Sequence, residues 1–265
     1  MGKPKSRLCK IGEKTLTGEA NKKDKEVEVP AKTFVAFFIG GAADKKPYYG
    51  QGPTELVNFA RNLFLLKLES LGFDQSDLRS KFTHHIGYDD AKGEEDIKSS
   101  VLNKIEDKDN TYIYLIGHSL GGWNAAHLSS YLMDEGYKVE YLVTLDPVGE
   151  GILVGMFSDI YWGEPKPKYA EKNWINIRAK FTSGNLDVSD KVADFGEQWN
   201  ITSGPAINEI LNIHHANADA MFSAVLSGGR SALDVISANI SKKISLKANA
   251  DKECNNGKSP DIDLS

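Results

Sequence analysis

The 265-residue chain predicts an α/β domain, a mainly parallel sheet with helices on both faces. Two features carry the prediction. Continuous apolar runs of strand length alternate with longer stretches of helical spacing, and one such run passes directly into a helix through a glycine-rich turn.

The first run, KTFVAFFI at 32–39, shows no polar alternation, as expected of a strand covered on both faces. PTELVNFARNLFLLKLESLG follows, with Leu56, Phe59, Leu63, Leu66 and Leu71 at roughly helical spacing and Gly72 as terminator. KFTHHIGY reads as a strand, AKGEEDIKSSVLNKIEDK as a helix and TYIYLI at 111–116 as a second buried strand. A helix starts near Gly121, and KVEYLVTL and WINIRAKF are two further strands. In sheets of this type the reactive groups collect beyond the carboxyl ends of the strands.

The organisation is one domain, residues 31–247, between a polar, flexible extension at 1–30 and a disordered tail at 248–265. Cys9 and Cys254 both lie in polar terminal segments, which leaves a bridge between them undecided. The amino terminus lacks the apolar core of a secretory signal, and no apolar run approaches a membrane span. The chain is therefore expected to be made as a cytoplasmic protein, retained there or exported by a route that needs no signal peptide. Net charge is −5, with pI near 5.7 and no basic stretch interleaved with aromatics, which argues against nucleic acid as partner.

Gly117, Ser119 and Gly121 form a G-x-S-x-G motif in TYIYLIGHSLGGWNAAHLSSYL, with a buried strand before it and a helix after it. A serine there occupies a strained turn, and the flanking glycines let strand and helix approach without a Cβ clash. Ser119 is the expected nucleophile. The Leu120 N–H, at a helix amino terminus, suits a developing negative charge.

GHSLGG resembles the elbow of the lipase branch of the α/β-hydrolase superfamily, which implies an α/β-hydrolase fold and a triad in the order serine, acid, histidine. Asp146 stands at the end of an apolar run in YLVTLDPVGEG, where Pro147 stops the strand. The segment is similar to LDP-x-G of the pancreatic-lipase family, whose aspartate is the triad acid. Other superfamily members carry the acid one strand later, so Asp190 and then Asp187 are the alternatives, with Asp194 in the same segment. The implied order leaves His214 and His215 for the base. His215 is preferred because Ala218, Met221 and Phe222 follow at offsets that match the family pattern; His214 is the alternative. FFIGGAADKK resembles the lipase segment FIHGF, which implies the Ala42 N–H as an oxyanion donor, with Gly40 standing where the family has histidine.

Residues 151–173 crowd Ile152, Leu153, Val154, Met156, Phe157, Ile160, Tyr161 and Trp162 together, either as a lid or acyl-chain wall or as a buried helix. Together these features imply a serine esterase or lipase acting on a lipid ester, a phospholipid or an acylglycerol, with transient contact at a membrane interface. A looser resemblance to small type VI secretion phospholipase effectors implies an immunity protein as partner. An acyltransferase or thioesterase with the same triad, and a non-catalytic hydrolase-fold binding module, are the competing readings. No cofactor is expected and no metal is predicted, although the aspartates at 187–194 have calcium-binding chemistry.

Overall fold

The apolar runs pair into one six-stranded sheet in which every strand is parallel to its neighbours. The strands are β1 (Thr33–Gly40), β2 (Thr83–Gly87), β3 (Thr111–His118), β4 (Lys138–Leu145), β5 (Trp174–Ala179) and β6 (Ile207–Leu211). Across the sheet the order is β2-β1-β3-β4-β5-β6. The computed structural model describes residues 32–47, 50, 52–167 and 173–255, with a two-residue ladder pairing Leu8–Cys9 with Val27–Glu28. The rest of the expected amino-terminal extension and residues 256–265 lie outside the described residues, as do the side chains of both cysteines.

Parallel strands need long crossovers, and these carry the helices α1 (Leu56–Ser70), α2 (Glu94–Ser100), α3 (Leu120–Asp134), α4 (Ile152–Phe157) and α5 (Val188–Gly196), while α6 (Ala218–Ser223) and α7 (Ala232–Asn255) follow the last strand. Successive strand residues point to opposite faces, so the core divides in two. Phe34, Ala36 and Phe38 of β1 join Tyr114 and Ile116 under α1, α6 and α7. Val35, Phe37 and Ile39 join Ile113 and Leu115 under α2, α3 and α5. Both faces are covered, as the unalternating apolar runs require.

A polar chain crosses the sheet at one register, where Thr144, Asn176 and Asn208 stand side by side on β4, β5 and β6. Trp174 Nε1 donates to Thr144 Oγ1, which donates to Asn176 Oδ1 at 2.7 Å, and Asn176 Nδ2 donates to Asn208 Oδ1 at 2.7 Å. A one-residue slip of any strand would orphan these buried groups, so the chain fixes the register.

Three details depart from the sequence reading. The buried stripe of α1 is Val57, Ala60, Phe64, Leu65 and Leu68, whereas Phe59, Leu66 and Leu71 are exposed. Apolar residues occupy more than one side of that helix, and contact with β1 selects among them. The helix expected over 91–108 is confined to Glu94–Ser100 and is followed by a short turn, Leu102–Lys104. The backbone of α7 also passes the expected boundary at 247 without a break and remains helical to Asn255. Among the described residues no helix is long and apolar enough to cross a membrane.

Candidate active site

In the strand order, β1 connects outward to β2, whereas β3 begins the run in the other direction. A crevice opens at such a reversal, outside the carboxyl ends of the two strands. The loop after β1 and the turn after β3 meet there. Ser119 follows β3 directly, with φ 56° and ψ −128°, a conformation that costs an L-residue about 1–3 kcal/mol. Asp146 follows β4 with φ 44°. Two strained non-glycine residues thus stand at the ends of adjacent strands.

The glycines of the motif are required by contact. A Cβ on Gly121 would lie 2.2 Å from the Ile39 carbonyl oxygen, and one on Gly117 would lie 2.3 Å from the Gly121 oxygen. A Cβ on Gly41 would lie 2.6 Å from Ser119 Cβ and 3.0 Å from Ser119 Oγ. The loop after β1 is therefore pressed against the serine, and Ala42 is the next residue. Leu120 is the first residue of α3, so its N–H has no acceptor within the helix. The Leu120 N–H thus directly follows Ser119, and Ala42 directly follows the glycine that touches it.

Asp146 is fully buried, and its Oδ2 lies 2.6 Å from His215 Nδ1. A carboxylate only accepts, so Nδ1 carries the proton and Nε2 of the neutral ring carries the lone pair, the tautomer a general base needs. The Ala179 N–H donates to Asp146 Oδ1, and Gln198 Nε2 reaches both carboxylate oxygens at 2.8 and 2.7 Å. His215 lies in the loop before α6, where Ala218, Met221 and Phe222 are all buried and anchor the helix to the core. Among the described residues the Ser119 hydroxyl has no hydrogen-bond partner, so its contact with His215 is not closed. Such bonds commonly tighten only when substrate binds.

The alternative residues form a pair of their own. Asp190 Oδ2 lies 2.6 Å from His214 Nδ1, and Asp187 Oδ2 lies 3.5 Å from the same nitrogen. Asp187 caps α5 reciprocally with Asp190, and the His214 ring stacks on Phe181 at 3.7 Å. Burial alone would raise the Asp190 carboxyl; the hydrogen bonds from the His215 N–H and from His214 hold it below the usual carboxylate range. Asp187, Asp190 and His214 offer three ligand atoms within 4.8 Å of one another. Each is already engaged in hydrogen bonds inside the cluster.

Two contacts go beyond what the sequence reading places at the site. Gln198 orients the acid from 52 positions away. His118, which the implied chain order excludes as base, places Nε2 2.9 Å from the His215 carbonyl oxygen and its ring 4.7 Å from the His215 ring. Burial, reinforced by the neighbouring His215, pushes His118 down to about 3, so it stays neutral. A polar side chain at the end of a buried strand is the one sequence signal for His118; for Gln198 there is none.

Residues 159–166 run along α3. Asn124 exchanges hydrogen bonds with the Asp159 carbonyl and the Tyr161 N–H, His127 Nε2 donates to Gly163 O, and Ser130 Oγ donates to Lys166 O. Of the apolar residues at 151–173, Val154 and Ile160 are buried, whereas Ile152, Met156 and Trp162 are exposed. On α5, Val188, Val192 and Phe195 recur at helical spacing and are also exposed. The Gly151 N–H donates to Gly196 O, which joins the start of α4 to the end of α5.

The chain matches no protein-family model and no curated protein.

Proposed function

We propose that this protein is a serine hydrolase of the α/β-hydrolase type that cleaves carboxylic ester bonds of lipids through an acyl-enzyme. The observation that carries the reading is the hydrogen bond between buried Asp146 and buried His215, beside a serine held in a strained turn. In the proposed reaction His215 Nε2 takes the Ser119 proton as the hydroxyl attacks the ester carbonyl, and Asp146 stabilises the resulting imidazolium. The N–H groups of Ala42 and Leu120 receive the oxyanion. The imidazolium then protonates the leaving alcohol, and a water molecule, deprotonated by the same nitrogen, releases the acid.

A lipid substrate is favoured by the exposed apolar residues of α4 and α5, which follow the strands that deliver Asp146 and the Asp190 segment. The resemblance to secreted phospholipase effectors narrows this to membrane phospholipid and adds an immunity protein as partner.

The test compares wild type with Ser119→Ala on mixed phospholipid and triacylglycerol micelles, with released fatty acid quantified by mass spectrometry. Wild type is expected to release fatty acid and the variant to lose that activity by orders of magnitude. No release by wild type that still reacts with a fluorophosphonate would remove the lipid assignment; no reaction with either would remove the hydrolase assignment.

A further inference from the structure

The base is held at two places besides its ring. The His215 N–H donates to Asp190 Oδ1 at 2.8 Å, and the His215 carbonyl accepts from His118 Nε2 at 2.9 Å. Both polar groups of one residue's main chain are therefore bonded to side chains, and both side chains are buried. They come from unrelated parts of the fold: His118 ends β3, one residue before the nucleophile, and Asp190 lies in the first turn of α5.

We propose that Asp190 and His118 are positioning residues that clamp the His215 main chain, setting the height and direction of its ring independently of Asp146. The inference rests on the reading of His215 as base. Asp146 fixes the ring at one nitrogen only, which leaves the ring free to swing about that bond unless the backbone is held. Locking both sides of the residue removes that freedom before substrate arrives, where a misplacement of about 1 Å can cost about 100-fold in rate. His118 also links the two reacting residues directly, because it is covalently next to Ser119 and hydrogen-bonded to His215.

The chemistry of each clamp residue suits this task. A carbonyl oxygen only accepts, so His118 Nε2 carries the proton. A charged ring 4.7 Å from His215 would oppose the imidazolium formed in each acyl transfer, whereas a neutral ring does not. Asp190 uses its second oxygen to take His214 Nδ1 and the Asp187 N–H, which fixes the carboxylate to α5. The Ala216 N–H donates to Ser189 Oγ, so the same helix turn holds the following residue as well. In this arrangement Asp190–His214 is an anchor for the base, and its charge takes no part in proton transfer.

Asp190→Ala and His118→Phe remove one contact each, while Asp190→Asn keeps an acceptor for the His215 N–H and His118→Gln keeps a donor near the Nε2 position. The kinetics use p-nitrophenyl butyrate and the pH dependence of fluorophosphonate labelling, with unfolding followed by circular dichroism. Asp190→Ala and His118→Phe are expected to lower kcat by about 10- to 100-fold at nearly constant KM and to displace the labelling pH profile. The conservative variants should recover to within several-fold of wild type. Wild-type kcat and pH profile in folded Asp190→Ala and His118→Phe overturn the clamp while labelling confined to Ser119 keeps the hydrolase reading. Loss in Asp190→Asn equal to that in Asp190→Ala overturns it in favour of a charge role for Asp190. Should the alanine and phenylalanine variants fail to fold, failure of the conservative pair to retain rate and profile overturns it too. Labelling of Ser119→Ala at the wild-type rate removes both readings.

Discussion

Two acid–imidazole pairs stand one residue apart in this molecule, each with a separation of 2.6 Å, in different surroundings. Asp146 and His215 are both buried, the acid sits on strained backbone, and Gln198 and the Ala179 N–H complete its hydrogen bonding. His214 is 27 % exposed, stacks on Phe181 and shares its acids with a helix cap. Hydrogen-bond length does not separate the pairs. Burial, together with the hydrogen bond from His118 at the end of β3 to the His215 carbonyl, does.

The sharpest way to break this comparison is to remove each imidazole in turn. His215→Ala is expected to lower kcat on p-nitrophenyl butyrate by about 10,000-fold or more, since loss of a triad base leaves only binding and oxyanion stabilisation. His214→Ala should cost less than about 10-fold, because Asp190 keeps its bond to the His215 main chain. Equal losses, or the reverse order, would transfer the role of base to the exposed pair.

A smaller effect tests whether the buried pair depends on the close approach of β1 to the turn after β3. Gly121→Ala drives a Cβ into the Ile39 and Gly40 carbonyl oxygens, which the sheet cannot move cheaply. It should cost about 1–3 kcal/mol in denaturant unfolding and about 100-fold in kcat through displacement of the loop after β1. Gly228→Ala, where a Cβ meets nothing within 4 Å, should leave both quantities unchanged. An active, stable Gly121→Ala enzyme would show that the packing around the turn is dispensable.

The contrast between the pairs also marks what the sequence could reveal. β3 and β4 are legible because their apolar runs are continuous and end in glycine or proline punctuation. β6, INEIL, is not: it is an edge strand whose burial alternates, and its Asn208 is accounted for by Asn176 on the neighbouring strand and by the Ile201 carbonyl oxygen. The segment at 187–196 has the composition of a solvated acidic loop, because its cap, Asp187 with Asp190, becomes legible only once the helix is known. Ser119, Asp146 and His215 each carry local punctuation, a turn, a strand end and a helix start. The contacts that distinguish His215 from His214 span 25 to 97 positions, and no local pattern encodes them.

The gentlest test uses a third buried carboxylate that has no imidazole within hydrogen-bond reach. Asp44, two residues beyond Ala42, accepts from the Val57 N–H at 3.0 Å through Oδ2. Its Oδ1 is unpartnered and faces an equally unpartnered His85 Nε2 at 3.8 Å. Burial raises this carboxyl from 3.8 to about 6, opposed by the Val57 hydrogen bond and reinforced by Glu55. Between those two values the folded state keeps a proton that the unfolded chain has released, so stability falls as pH rises through that window. Above pH 6 the penalty reaches about 3 kcal/mol, because each pH unit of the window costs about 1.4 kcal/mol. Asp44→Asn removes the titration, and its amide fits the geometry, with oxygen toward Val57 N–H and nitrogen toward His85. Urea unfolding of both proteins between pH 4 and 7 should show the variant gaining on wild type by about 3 kcal/mol across the range. His85, which burial pushes the other way, is present in both chains and largely cancels in the difference. A difference that does not change with pH would mean that burial does not raise the Asp44 carboxyl, even with no imidazole in hydrogen-bond reach.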